Sequence, residues 1–148
     1  MALALAREGR DISEETGPGF IGPILYGLLA LVDDRREDQV AALTAGEALL
    51  ARGSVGHNHF WFRRYAIERA LLLANWNEVD RQAEALLLRM MDEPLPYATY
   101  VAARGRLLAR RGRGGITHTE EEKLAKLMTS TAQIGMRIDA LGEALRGS

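Results

Sequence analysis

Apolar residues recur along this chain at steps of three and four, and nowhere with the alternation of a half-buried strand. Ile21, Ile24, Leu25, Leu28 and Val32 form one such stripe, and Val79, Ala83, Leu86, Leu87 and Met90 form another, the period of helices buried along one side. Clusters of Pro, Gly and charged residues interrupt the pattern at Gly17-Pro18-Gly19, Asp33-Asp34-Arg35-Arg36, Gly53-Ser54-Val55-Gly56, Asp92-Glu93-Pro94-Leu95-Pro96 and Gly112-Arg113-Gly114-Gly115. The spacing predicts helices over 20–33, 37–52, 58–74, 77–91, 97–111 and 119–145, preceded by a short one over 2–8. Asn58 and Asn77 are placed to cap two helix starts, and Gly53 and Gly112 to close two helices in the left-handed conformation.

Short connections pair 20–33 with 37–52, 58–74 with 77–91 and 97–111 with 119–145 as antiparallel hairpins. The segment Ala45-Gly46-Glu47-Ala48-Leu49-Leu50 returns as Gln82-Ala83-Glu84-Ala85-Leu86-Leu87, 37 residues later, which is the period of two packed helices. The expected fold is therefore all-α, a right-handed stack of about three antiparallel hairpins in an α-α superhelix. It forms a single domain over 1–148: a remnant helix over 2–8, repeat hairpins over 20–112 and a capping helix over 119–145. Gly46 and Ala83 occupy equivalent places, where a small residue lets the second helix of a hairpin approach its partner.

The last helix carries a heptad seam of Leu124, Leu127, Thr131, Ile134, Ile138, Leu141 and Leu145. Two readings stand: the seam caps the stack, or it pairs two chains as a homodimer.

Composition narrows the choices. With 148 residues and 47% apolar content the chain has a core to bury without staples, and the absence of cysteine excludes thiol catalysis, thiolate metal sites and disulfides. A formal net charge of −1 supplies no field drawing the whole molecule to nucleic acid or anionic lipid. No signal-like segment or membrane span is visible, so the expected compartment is the cytoplasm, with no membrane partner.

His57-Asn58-His59 places two imidazoles on different sides of a helix, and no carboxylate stands at ligand spacing, so no metal or other cofactor is expected. Phe60-Trp61-Phe62-Arg63-Arg64-Tyr65 holds four of the nine aromatic residues, and reads either as a helix buried on two sides or as a partner surface. Arg64 and Glu68 are spaced to pair along that helix. Gly17-Pro18-Gly19-Phe20-Ile21-Gly22 matches a dinucleotide-binding glycine pattern, but no strand precedes it and its proline lacks an N–H to offer a phosphate.

Arg104, Arg106, Arg110, Arg111 and Arg113 gather five cations near a helix C-terminus. They read as a dipole-matched end, partly offset by Glu120-Glu121-Glu122, or as a phosphate- or nucleotide-responsive patch; no motif for sequence-specific nucleic acid accompanies them. No catalytic constellation emerges, and the expectation is a non-enzyme that binds a protein or peptide. The expected surface is His57, His59, Trp61, Arg63 and Arg64 with Tyr97 and Arg104 on the adjacent hairpin, since first helices of successive hairpins line one concave face.

Asn75-Trp76-Asn77-Glu78-Val79, preceded by Ala70-Leu71-Leu72-Leu73-Ala74, resembles the inter-helix turn of tetratricopeptide repeats, although Arg63 and Ile67 stand where those repeats usually carry Trp and Gly. Gly22-Pro23-Ile24-Leu25-Tyr26-Gly27, Glu47-Ala48-Leu49-Leu50, Val55-Gly56-His57-Asn58-His59-Phe60-Trp61-Phe62 and Glu93-Pro94-Leu95-Pro96-Tyr97 resemble the C-terminal helical repeats of large bacterial adenylate/guanylate-cyclase-like proteins carrying a predicted ATPase. That resemblance, over about 2–112, implies a bacterial signal-transduction or scaffolding module without cyclase or nucleotide-binding residues. It also implies that 2–8 is the second helix of a lost upstream hairpin, with an apolar outer surface.

Overall fold

The computed structural model describes residues 2–91 and 94–133. Seven helices account for their regular structure: α1 (Ala2–Thr16), α2 (Gly22–Val32), α3 (Arg36–Ala51), α4 (Gly56–Leu72), α5 (Trp76–Arg89), α6 (Pro96–Gly112) and α7 (His118–Gln133), with no strand among the described residues. The fold is all-α, as the periodicity predicts.

The short helix expected over 2–8 instead runs to Thr16. Over residues 3–16 only Ala6 and Ser13, seven positions apart, are deeply buried, and the polar second half of the helix escapes an apolar count. Leu5 and Ile12 are exposed on its outer side, interleaved with Glu8, Asp11 and Glu15. Gly17, at φ 115°, ends it. Arg7 then ties α1 to the far end of α2 through Asp33, at 2.9 Å.

Each helix packs on its neighbour in sequence as far as α7, and the contacts also skip along the chain, α2 lying on α4 and α4 on α6. Helix α4 is central, touching α2, α3, α5 and α6. One apolar cluster joins α4, α5 and α6 around Ile67, Val79, Leu86 and Val101; another joins α1, α2 and α3 around Ala6, Leu29, Ala30 and Ala42. Phe62, with no exposed surface, bridges them beside Leu50 and Ala66.

Gly46 serves a different neighbour from the one its repeat position predicts. A Cβ there would lie 2.2 Å from the Phe62 ring of α4, and one at Gly27 would lie 3.0 Å from the Phe62 Cα. The two glycines clear a slot for an aromatic ring from the next helix pair, rather than drawing α3 against α2.

The ends of the helices depart from prediction for local reasons. Helix α4 begins two residues earlier than expected, after Val55, so Asn58 lies inside it. There Asn58 is fully buried and its amide donates to the Phe20 carbonyl at 2.9 Å, pinning the α1–α2 turn. The cap of α5 is Asn75, which accepts from the Glu78 N–H at 3.3 Å; Asn77 lies within the first turn and accepts from Arg113. Gly53 closes α3 at φ 100° as expected, but α6 is closed by Gly114 at φ 74°, because Gly112 is helical and lies under the Trp76 ring. Thr117 and Glu120 exchange hydrogen bonds as a capping box at the start of α7. In the heptad seam Leu124 is fully buried and Leu127 half-buried; Ile134, Ile138, Leu141 and Leu145 lie outside the described residues.

Candidate functional site

Helix α4 decides what the aromatic segment does. His57, Trp61, Arg64 and Glu68 are spaced four, three and four, so they share one face, while His59 and Arg63 fall on the opposite one. The seven residues expected to line a single surface are therefore divided.

On the first face, Trp61 and Tyr65 lie with their rings 6.0 Å apart at 30°, and Phe60 meets Trp61 edge-on at 5.3 Å. The Arg64 guanidinium sits 5.0 Å from the Trp61 ring and 5.9 Å from that of Tyr65. Arg64 is only 8% exposed and its Nε has no hydrogen-bond partner, so aromatic faces take the place of a carboxylate beside a largely desolvated cation. The pairing with Glu68 expected from their spacing gives way to a longer-range one: Arg104 of α6 donates to Glu68 at 2.5 Å, with both side chains buried. Arg104 thus fastens α6 to α4 from inside.

His57 is exposed at the start of α4 and meets Phe20 of the α1–α2 turn edge-on at 6.3 Å. A cavity of about 600 Å³ opens beside it, lined by Gly53, Ser54, Val55, Gly56, Arg89 and Leu95. Phe20 is 75% exposed, a large apolar side chain left in solvent, and Tyr97 at the start of α6 is 46% exposed. Tyr100, one turn further along α6, packs with Trp61 against the α4–α6 cluster.

On the opposite face Arg63 donates to Glu47 of α3 at 3.1 Å and to Gln82 of α5 at 2.6 Å. Glu47 also accepts from Arg81 at 2.7 Å and Gln82 at 3.0 Å. Burial works against this carboxylate, but those hydrogen bonds and the charges of Arg81 and Arg63 prevail and hold its pKa below the ordinary value. His59 is pushed down to about 4, first by burial and then by Arg89 and Arg63. This face joins three helices; it offers no open surface to which Arg63 contributes.

The structure thus brings Trp61 and Arg64 together, sets His57 at the end of their face and Tyr97 on the neighbouring helix, and sends His59, Arg63 and Arg104 into packing. Tyr65 was legible as the residue four after Trp61. Phe20 carries no periodic signal, because a turn places it.

The arginine cluster is largely neutralised. Arg110 pairs with Glu120 at 2.5 Å, Arg111 with Glu121, and Arg113 with Asp80 at 2.8 Å. Among the described residues no three His, Asp or Glu side chains form a metal-holding group, and no helix is long and apolar enough to cross a membrane. Comparison of the chain with protein-family models, curated proteins and solved structures finds no match.

Proposed function

We propose that this chain is a non-catalytic interaction module that receives a protein or peptide along the Trp61–Arg64–Tyr65 face of α4. His57 and Phe20 mark one end of that face, and Tyr97 flanks it on α6. In this reading the helix pairs stack as tetratricopeptide-like hairpins, with α2, α4 and α6 lining the receiving side. The observation that carries it is the exposure of Phe20 and Tyr97, 75% and 46%, beside a face whose Arg64 is already held against two aromatic rings, since aromatic residues and Arg concentrate binding energy at interfaces.

A photo-crosslinking amino acid at Tyr97 is the test, with the exposed Glu84 of α5 as control, in the cells that make the protein. One protein captured from position 97 and absent from 84 is the expected result, lost when Trp61→Ala and Arg64→Met are combined in a chain of unchanged helicity. Equal capture from both positions, or capture indifferent to the double substitution, would sink the reading.

A further inference from the structure

A second cavity, of about 530 Å³, lies where α5, α6 and α7 meet, away from the α4 face. Six charged side chains line it: Arg106, Arg110 and Arg113 of the arginine cluster, Lys123 of α7, and the acids Asp80 and Glu120. Both acids are committed, Asp80 to Arg113 at 2.8 Å and Glu120 to Arg110 at 2.5 Å. Glu120 also closes the capping box with Thr117, so it is held to the start of α7. Among the described residues Arg106 and Lys123 make no hydrogen bond or close ion pair, Lys123 acting on the Glu120 carboxylate only at longer range, which leaves two positive charges facing the same space. Beside them the wall is formed by Leu87, Ala103 and Leu107, and Thr99 adds a hydroxyl.

We propose that this cavity binds a small phosphate monoester, its phosphate held by Arg106 and Lys123 and its organic body resting on Leu87, Ala103 and Leu107. A monoester carries close to two negative charges at neutral pH, matching the two cations left over once the ion pairs are formed. Arg106 supplies planar, two-pronged donors for phosphate oxygens, and Lys123 a mobile point charge. The volume suits one small molecule with an apolar contact surface. The proposal stands on a different part of the molecule from the partner face, and neither depends on the other.

Calorimetric titration at low salt with AMP, glucose 6-phosphate and inorganic phosphate tests it. At least one ester is expected to bind at one per chain, and the preferred ester identifies a nucleoside or a sugar as the body. Arg106→Gln and Lys123→Gln should each weaken that binding tenfold or more. Arg111→Gln removes a charge of the same cluster outside the cavity, and should change affinity less than twofold. Absence of binding by both esters, equal weakening by Arg111→Gln, or inorganic phosphate binding as tightly as the esters would each overturn the proposal.

Discussion

At the scale of single residues, close approach and backbone conformation outweigh helix propensity. Alanine is the better helix former by about 1 kcal/mol, yet at position 46 its methyl would meet the buried Phe62 ring at 2.2 Å. Overpacking of a closed core costs about 1–3 kcal/mol, so Gly46→Ala is expected to destabilise the protein by roughly 1–2 kcal/mol in urea unfolding. Phe62→Leu in the same chain should recover part of that loss. Ala74 presents the opposite case. The ends of α4 and α6 share one bonding pattern, Asn75 N–H to the Ala70 carbonyl at 2.9 Å and Gly115 N–H to the Arg110 carbonyl at 3.0 Å. The left-handed position is filled by Gly114 in α6 but by Ala74, at φ 51°, in α4. Replacing this exposed alanine by glycine removes the steric conflict, so Ala74→Gly should stabilise the protein by about 0.5–1 kcal/mol in the same measurement.

At the scale of elements, much was legible and the failures share a cause. Every helix from α2 to α7 was visible in the sequence, because each buries a stripe and all but α4, which closes at Ala74 and Asn75, are bounded by glycine, proline or charge clusters. Helix α1 was cut short because its inner face is Ala6 and Ser13, small residues that hydropathy does not mark. The caps were misplaced by two residues at Asn77 and Gly112, where a second residue of the same chemistry stands nearby, and by three at Asn58, where α4 starts after Val55 with no side-chain cap and Asn58 is taken by the Phe20 carbonyl. The division of the site was also written in the sequence, in the spacing of His57, Trp61, Arg64 and Glu68 against His59 and Arg63. What spacing cannot reveal is which helix receives each face. Glu68 therefore turned out to hold Arg104, 36 positions away, in place of Arg64 on its own helix.

At the scale of the whole molecule, the face joining α3, α4 and α5 contributes a histidine and a carboxylate to the response to acid. His59 is pushed down to about 4, so between the ordinary histidine range near 6.5 and that value the unfolded chain binds a proton that the folded one refuses. Stability should fall across this window. Glu47 titrates below its ordinary value, so its contribution is present above about 4.5 and is lost as pH drops through the lower value reached in the fold. Urea midpoints measured from pH 7 to pH 3 should show both losses in succession. His59→Gln is expected to flatten the first and leave the second; a curve unchanged by that substitution would remove histidine from the account. The same central helix also gives the molecule a direction. Helix α4 presents Phe62 to glycines of α2 and α3 on one side, and Ile67 to Gly105 of α6 on the other, 2.9 Å from where a methyl would stand. It is the donor of bulk at both junctions, and its neighbours are the acceptors. Tandem duplication of α4 and α5 would set two donors side by side without a vacancy between them, so this architecture cannot be lengthened by copying its middle.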